Sequence, residues 1–485
     1  MSASAYLGLD LGGTGAKAGV YDQSGKLLGF GRAACEPSVY SDGRVEVPIE
    51  DVYKAARKAA RQAIAESGAE IRALAISSQG QTFVSLDAND QPLHPAIIWY
   101  DSRASEQAIR MREKVVSSNP MPVIEAIATA PKIMWLKEHY PELMSRARRY
   151  LLLPDYFNYR LTGIAATDPS TATSTALYAD DATDYSSEAL AAVEIYESSL
   201  ARIQPSGSAV GCVRPEAASD WGLSENTLVV IGSNDQYAGA LGAGNCRPGI
   251  ISETTGTCLA LVTLTEKRIE PVDGLWIGRF PITRYQFGLA YAKTAGVVLD
   301  WFNRQFCPDK DLRDLDEIAA VSPIGANGIT VLPHFDGMVS PKPNPESKGF
   351  IGNLTLSHTA GDIYRGILES LSFSLRENIE FVRKAGFDAE VVRAIGGGAK
   401  SDFWLQMKAD VIGLPVERPS VSEAATLGAA MLAVVGAGEY ESLQDSSETL
   451  YRAVRIFEPN EESRELYEKP FNNYRNLCRR AYDPS

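Results

Sequence analysis

The chain has 485 residues, 45% hydrophobic and 22% charged, so it is long enough for two or three globular domains and too apolar to be disordered. The formal net charge is −14 and no run of Lys or Arg stands out, which argues against a nucleic-acid partner. No apolar stretch approaches the ~18–20 residues of a membrane span, no signal peptide is evident, and the six scattered cysteines form no C-x-x-C pair. The composition predicts a cytoplasmic protein with no membrane partner.

The chain begins with a strand, a glycine turn and an antiparallel strand. Asp10-Leu-Gly-Gly-Thr14 follows a short apolar run, and a Gln-Ser-Gly turn ends the next run of about seven residues. A dinucleotide-binding fold would need a helix directly after the glycines, so the hairpin argues against it. Glycines such as Gly13 let a turn expose N–H groups to phosphate oxygens; Thr14 adds a hydroxyl, Lys17 a charge and Asp10 a ligand for Mg²⁺. The alternative is a plain β-hairpin with a capping Asp.

Polar groups follow three later strands. One strand leads into Ser-Ser-Gln-Gly80-Gln81, and another ends at Trp99-Tyr-Asp101. Helices then dominate to about residue 165, until a strand runs into Gly-Ser-Asn-Asp235. Reactive groups often follow buried strands, and phosphoryl transfer needs a base for the acceptor hydroxyl. Taken alone, however, a single Asp such as Asp235 after a strand is more often a turn residue than a base, and Trp99 is as typical of a core as of a binding site.

The second half of the chain repeats the pattern of the first. A strand meets Thr254-Thr-Gly256-Thr257 and an apolar strand returns, as at the start of the chain. This echo predicts an internal duplication with a domain boundary near 245–250, and both halves alternate strands and helices in an α/β pattern. Two such turns facing each other across a cleft would grip a triphosphate from both sides.

A third glycine motif lies at residues 396–398. It stands between a strand and an amphipathic helix that Ser401 is placed to cap. Three glycines let an adenine lie close to the backbone, and the helix N-terminus favours phosphate or ribose oxygens. The sequence contains no Gly-x4-Gly-Lys-Ser/Thr motif and no protein-kinase catalytic loop. It therefore argues against the P-loop and protein-kinase architectures for phosphoryl transfer.

Together these motifs resemble the FGGY family of carbohydrate kinases, within the actin/hexokinase/heat-shock ATPase superfamily. Residues 129–136 are similar to its first signature and residues 353–369 to its second, and the resemblance covers nearly the whole chain in the expected order. It implies an α/β fold with two ribonuclease-H-like (actin-like ATPase) domains and a cleft between them. Residues 1–246 would form the sugar-binding domain and residues 247–485 the ATP-binding domain.

The resemblance also implies ATP and Mg²⁺ as cofactors and a role for each matching residue. Asp235 would be the general base, and Asp10 and Asp235 would associate with the metal. The residues implied in nucleotide binding are Gly13, Thr14, Lys17, Gly256, Thr257, Gly296, Gly397, Gly398 and Ser401. Those implied in the sugar site are Gly80, Gln81, Trp99, Asp101 and Asp235.

The identity of the substrate stays open. Xylulose kinases usually carry Met-His, and glycerol kinases Arg-Glu, where this chain has Gly80-Gln81. The neutral amide of Gln81 can donate and accept hydrogen bonds with vicinal hydroxyls. The sequence of residues 98–103 is more similar to that of xylulose kinases. Among candidate substrates, a ketopentose such as xylulose therefore ranks first, a tetrose sugar or tetritol second and glycerol third. A sugar- or nucleotide-responsive binding protein, an actin-like assembly ATPase, and a homodimer as the working form also stay open.

Overall fold

The computed structural model describes residues 4–115, 124–178, 184–421 and 423–482. The strands are β1 Ser4–Gly12, β2 Gly15–Tyr21, β3 Leu27–Ala34, β4 Ser38–Val39, β5 Val45–Val47, β6 Glu70–Ser78, β7 Phe83–Leu86, β8 Ala96–Ile97, β9 Arg149–Leu152, β10 Ala166–Thr167, β11 Arg202–Ile203, β12 Ala209–Cys212, β13 Leu228–Asn234, β14 Gly249–Thr255, β15 Leu259–Thr265, β16 Trp276–Arg279, β17 Gln286–Ala292, β18 Thr330–Leu332, β19 Phe350–Gly352, β20 Ala389–Ile395, β21 Val416–Pro419 and β22 Ala453–Phe457.

The α-helices are α1 Ile49–Ser67, α2 Ser105–Lys114, α3 Thr129–His139, α4 Pro141–Met144, α5 Leu153–Thr162, α6 Pro169–Thr173, α7 Ser187–Val193, α8 Pro215–Trp221, α9 Asp235–Gly242, α10 Gly296–Phe306, α11 Leu312–Val321, α12 Ala360–Lys384, α13 Asp402–Ile412, α14 Ala424–Gly436, α15 Leu443–Leu450 and α16 Glu461–Tyr482. Short 3₁₀ turns occupy Glu197–Ser199, Ala326–Gly328 and Gly397–Lys400. None of the helices in the described ranges is long and apolar enough to cross a membrane.

The chain forms two compact units. The first contains Met1–Cys246 together with Gly278–Gln286 and Glu423–Leu450, and the second contains the remaining segments. A single division after residue 246 therefore differs from the structure, because two later segments return to the first unit. The longer of them carries α14, whose helical pattern alone does not tell which sheet the helix covers.

The central sheet of the first unit has the order β12-β13-β6-β1-β2-β3. The hairpin predicted at the chain start is confirmed: β1 and β2 pair antiparallel, with Asp10 opposite Lys17. β3 continues the antiparallel pairing, whereas β6 and β13 run parallel to β1 and to each other. Parallel neighbours end at the same edge of a sheet, so Asp10, the residues after Ser78 and Asp235 are all brought to that edge.

Helix α14 packs on this sheet and on α9 through positions that tolerate no side chain. A Cβ on Gly8 of β1 would lie 1.8 Å from the backbone oxygen of Thr426. A Cβ on Gly428 would lie 1.8 Å from the backbone oxygen of Ala238 in α9. The Tyr21 hydroxyl also hydrogen-bonds Thr426 at 2.7 Å. These close approaches fix the helix that begins at Asp235 against the strand that carries Asp10.

The second unit repeats the arrangement of the first. Its sheet has the order β16-β17-β15-β14-β20-β21-β22. β14 and β15 form an antiparallel hairpin, β20 and β21 run parallel to β14, and β22 pairs antiparallel at the edge. The core of this unit is formed by the sheet with α10, α12 and α13, and α16 adds the buried rings of Tyr467, Phe471 and Tyr474. Two similar α/β units built on a strand–turn–strand start agree with the predicted duplication.

Candidate active site

Two carboxylates meet in the first unit. Asp235 is the first residue of α9, and its Oδ1 accepts a hydrogen bond from the backbone N–H of Gln236 at 2.7 Å. Burial and the charge of nearby Asp10 raise the pKa of Asp235 to about 7. Burial also raises the pKa of Asp10, although Ser77 donates a hydrogen bond to it at 2.9 Å. Two neighbouring carboxyls that share raised pKa values suit proton transfer near neutral pH.

Gly80 and Gln81 lie beside the segment that leads into Asp235. A Cβ on Gly80 would lie 2.6 Å from Ser174 Oγ and 2.9 Å from Asn234 Nδ2, so only glycine fits there. Gln81 takes a left-handed backbone conformation with φ of 56°. Its N–H donates to Ser174 Oγ at 3.3 Å, and its carbonyl accepts from Thr129 Oγ1 at 3.2 Å. Ser174 thus accepts a hydrogen bond from the Gln81 backbone and occupies the space that a side chain at position 80 would need.

Trp99 lies next to the first glycine turn. A Cβ placed on Gly13 would be 3.9 Å from Trp99 Nε1 and 3.7 Å from a ring carbon of Tyr100. The buried amine of Lys132 on α3 holds the loop by donating to the carbonyls of Ile98 at 2.9 Å and of Trp99 at 3.0 Å. Burial lowers the pKa of Lys132 to about 7. In the structure Trp99 therefore lies beside the first glycine turn and also packs against the core of the first unit.

Asp101 has a different environment from the other predicted sugar-site residues. Its side chain is fully buried and accepts hydrogen bonds from the Val45 N–H at 2.6 Å and from the Arg103 guanidinium at 2.6–3.0 Å. Burial acts to raise the pKa of Asp101, but the hydrogen bonds from Arg103 and the backbone outweigh it and lower the pKa. Arg103 also pairs with Glu46 at 2.7 Å. This arrangement favours a role for Asp101 in positioning the Trp99 loop over direct contact with a sugar.

The two remaining polar residues of the first turn are accessible to solvent. The Thr14 side chain is exposed, while its carbonyl accepts from the Cys35 N–H at 2.9 Å. Lys17 is about half exposed and forms an ion pair with Glu423 at 2.7 Å. A phosphate at this turn would compete with Glu423 for the lysine charge.

The second unit brings its own predicted residues together. The turn between β14 and β15 contains Gly256 and Thr257, whose carbonyls accept hydrogen bonds from Gly296 at 2.8 Å and from Ala295 at 2.9 Å. A Cβ on Gly296 would lie 2.4 Å from the Gly256 oxygen, so the start of α10 can approach the turn only with glycine there. An α-helix N-terminus beside a glycine turn offers N–H groups for phosphate.

The triple-glycine segment packs against the same turn. A Cβ on Gly396 would lie 2.6 Å from the Thr255 oxygen, and one on Gly398 would lie 2.7 Å from Thr255 Cβ. Gly397 is less crowded, since its Cβ would be 3.9 Å from the Thr255 oxygen. Ser401 caps α13, with its Oγ accepting from the Trp404 N–H at 3.0 Å, as predicted from the sequence.

A buried ion pair contacts Thr255, the last residue of β14 before the turn that contains Gly256 and Thr257. Lys408 on α13 donates to both carboxylate oxygens of Glu253 at 3.0 Å and to Thr255 Oγ1 at 3.1 Å. Lys408 and Glu253 are fully buried. Sequence reasoning did not single out this pair, or Lys132 and Ser174 in the first unit. A lysine inside an amphipathic helix gives no local sign that it turns inward.

The residues present are compatible with Mg²⁺. Within residues 4–115, 124–178, 184–421 and 423–482, no group of three or more His, Cys, Asp or Glu could hold a metal ion alone. Mg²⁺ in kinases is usually held by one or two carboxylates together with phosphate oxygens. Asp10 and Asp235 supply two such carboxylates, and a cation between them would offset the burial and repulsion that raise their pKa values.

Comparisons with known proteins agree with this architecture. The model of the FGGY family of carbohydrate kinases, N-terminal domain, matches residues 5–242, and that of its C-terminal domain matches residues 251–437. A xylulose kinase of Bacillus subtilis is 31% identical, covering 98% of this chain and 97% of that protein. A glycerol kinase of Bordetella parapertussis is 29% identical, covering 93% and 92%. The solved structure of a xylulose kinase from Lactobacillus acidophilus, 22% identical, has the same fold, with a TM-score of 0.90 over 99% of both chains.

The two α/β units, each built on a strand–turn–strand start, define an actin-like ATPase fold, and the chain is a sugar kinase. It belongs to the FGGY family of carbohydrate kinases.

Proposed function

We propose that the protein transfers the γ-phosphoryl group of ATP to a hydroxyl of a ketopentose, with xylulose as the first candidate. The observation that carries the proposal is the environment of the Asp235 carboxyl. Burial and the charge of nearby Asp10 raise its pKa to about 7, and the preceding residue, Asn234, lies beside Gly80. The full-length similarity to a protein named xylulose kinase supports the choice of sugar.

Asp235 acts as the general base. A carboxyl with a pKa near the working pH is partly ionised and can take the proton of the attacking hydroxyl as the new O–P bond forms. Asn234 caps the same helix by accepting from the Gln236 N–H at 3.1 Å, which fixes the start of α9 and so the position of the base. The proton moves from the sugar oxygen to a carboxylate oxygen of Asp235. The sugar oxygen forms the new bond to the γ-phosphorus, the bond between that phosphorus and the β,γ-bridging oxygen breaks, and ADP leaves with the electron pair.

ATP is bound chiefly by the second unit. The backbone around Gly256, Thr257 and Gly296 binds the phosphates, and the Gly397–Gly398 segment receives the adenosine. In the first unit, Gly13 and Thr14 offer further N–H and hydroxyl groups. Mg²⁺ would be held by Asp10 and Asp235, and it supplies charge neutralisation for the phosphates when bound. Lys17 changes partner from Glu423 to a phosphate in this proposal.

A tetrose sugar, a tetritol and glycerol remain the competing acceptors. The pair Gly80-Gln81 stands where xylulose kinases usually carry Met-His and glycerol kinases Arg-Glu, so it matches neither group. Because Gln81 carries no charge, this position does not decide among short polyols. The similarity to a glycerol kinase over most of the chain keeps glycerol in the comparison. The presence of a carboxylate at 235 argues against a purely binding role on the same scaffold.

The test is a screen for sugar-dependent ADP release with the full-length protein, ATP and Mg²⁺. Ketopentoses, tetroses, alditols and glycerol are compared by kcat/KM, and NMR of the product identifies the phosphorylated carbon. We expect xylulose to give the highest value and Asp235→Asn to lower kcat by roughly 10²–10⁴-fold while ATP still binds. Preference for glycerol, or near-normal turnover by the variant, would overturn the substrate or the base assignment respectively.

A further inference from the structure

The short helix α6 begins at a buried carboxylate that accepts several hydrogen bonds. Asp168 directly precedes the helix and is only 2% exposed. Its Oδ1 accepts from the backbone N–H of Ser170 at 2.9 Å and of Thr171 at 3.0 Å, and also from the Ser170 hydroxyl. Burial raises the pKa of Asp168, although these hydrogen bonds act to lower it. Because burying a carboxylate is unfavourable, a neutral Asn or Ser would cap a five-residue helix at lower cost.

The Ser170 hydroxyl joins this carboxylate to the segment that carries the proposed base. Ser170 is 2% exposed, and its Oγ accepts a hydrogen bond from the backbone N–H of Asn234 at 3.2 Å. The hydroxyl hydrogen is directed to Asp168, which leaves the oxygen lone pairs available for that N–H. Asn234 is the N-cap of α9, and Asp235 is the first residue of this helix. A side chain 64 residues earlier in the chain therefore holds the backbone immediately before the base.

The other end of α6 contacts the pair Gly80-Gln81, which is predicted to lie in the sugar site. Ser174, the C-cap of α6, donates its hydroxyl to the Thr171 carbonyl at 2.7 Å and accepts from the Gln81 N–H at 3.3 Å. One short helix thus contacts the segment before Asp235 through its first turn and the segment of Gln81 through its last residue. Both contacts lie within the first unit.

We propose that Ser170 is a positioning residue for the general base: its hydroxyl, oriented by Asp168, fixes Asn234 and thereby the position of the Asp235 carboxylate. The inference rests on the proposed function, because it takes Asp235 as the base. Without the hydroxyl, the buried N–H of Asn234 loses its acceptor, and the start of α9 is no longer held in place. Displacement of a reacting group by about 1 Å can lower a rate by roughly 10²-fold.

The experiment is a double-mutant cycle that combines Ser170→Ala with Asp235→Asn. The kcat and the KM values for xylulose and ATP are measured with Mg²⁺ present. Ser170→Cys is a second variant in case Ser170→Ala does not fold, since a thiol of similar size is only a weak donor and acceptor. Ser370→Ala is the matched control: Ser370 on α12 is 1% exposed, and its hydroxyl donates to the Ile367 carbonyl of the same helix at 2.8 Å.

We expect Ser170→Ala to lower kcat by at least roughly tenfold while the KM for ATP stays within about twofold. Ser370→Ala should leave both quantities within about twofold. In the Asp235→Asn background, Ser170→Ala should lower the residual kcat by less than about twofold, because the group that Ser170 positions is already absent. A purely structural effect would lower kcat by the same factor in both backgrounds.

The outcomes separate this inference from the proposed function. A normal kcat in the Ser170 variant that folds, or an equal loss with and without Asp235, would overturn this inference alone. Near-normal turnover by Asp235→Asn would overturn the assignment of the base and, with it, this inference. Absence of turnover of any ketopentose by the unaltered enzyme would overturn the proposed function itself.

Discussion

Replacing Asp235 with Asn should stabilise the protein at neutral pH, although it removes the proposed base. Burial and neighbouring Asp10 raise the pKa of Asp235 from 3.8 to about 7. Between these two pH values the folded state keeps a proton that the unfolded chain releases, so the wild-type protein loses stability as the pH rises through this range. Asparagine carries no charge at any pH and escapes that loss.

The size of the effect follows from the pKa shift. A shift of about 3 units at ~1.4 kcal/mol per unit sets an upper limit of about 4 kcal/mol. The side chain of Asp235 is partly accessible to solvent, which weakens the penalty. We expect Asp235→Asn to raise the free energy of unfolding by about 1–3 kcal/mol at pH 8 and by almost nothing near pH 4.

Denaturant unfolding of both proteins at pH 4, 6 and 8, without nucleotide or metal, measures the effect. Asp362→Asn is a control with the opposite sign. Burial acts to raise the pKa of Asp362, but hydrogen bonds from Ser322, Thr359 and Asn327 outweigh it and lower the pKa to about 2, so its replacement should destabilise the protein at pH 8. The reasoning would be refuted if Asp235→Asn did not raise the free energy of unfolding at pH 8, or raised it equally at pH 4 and pH 8. Either result would mean that the ionised form of Asp235 is not destabilised in the folded protein.

Four further outcomes are expected. Asp10→Asn removes a negative neighbour, so the pKa of Asp235 should fall and an NMR titration should show its midpoint below pH 7; an unmoved midpoint would contradict the pairing. Gly296→Ala puts a methyl 2.4 Å from a backbone oxygen and should raise the KM for ATP with little effect on the KM for the sugar. Lys408→Met leaves the buried carboxylate of Glu253 without its positively charged partner. It should lower the free energy of unfolding, measured by chemical denaturation, by about 3–5 kcal/mol. Lys132→Met removes two charged hydrogen bonds, to the carbonyls of Ile98 and Trp99, which should cost about 2–4 kcal/mol and raise the KM for the sugar but not that for ATP.

The local parts of both candidate binding regions were predictable from the sequence. The glycine turns and Asp235 lie at the ends of strands, and short motifs determine such ends through hairpin length and glycine content. The predicted cap at Ser401 and the β1–β2 hairpin follow the same logic and are confirmed.

The remaining features depend on contacts between residues far apart in the chain. Nothing in the sequence indicates that the Asp101 carboxylate has partners within the protein. In the structure its oxygens accept hydrogen bonds from the Arg103 guanidinium and from the Val45 N–H. Lys408 and Glu253 are more than 150 residues apart, and no spacing rule joins them.

The return of α14 to the first unit has a consequence for biosynthesis. The strand that bears Asp10 leaves the ribosome long before the helix that covers it, Ala424–Gly436, because most of the second unit lies between them in the chain. Until then the apolar face of that strand lacks its native cover and is a natural substrate for chaperones. A fragment ending at Cys246 would keep this face permanently open, so we expect the first unit to mature only after most of the second has been made.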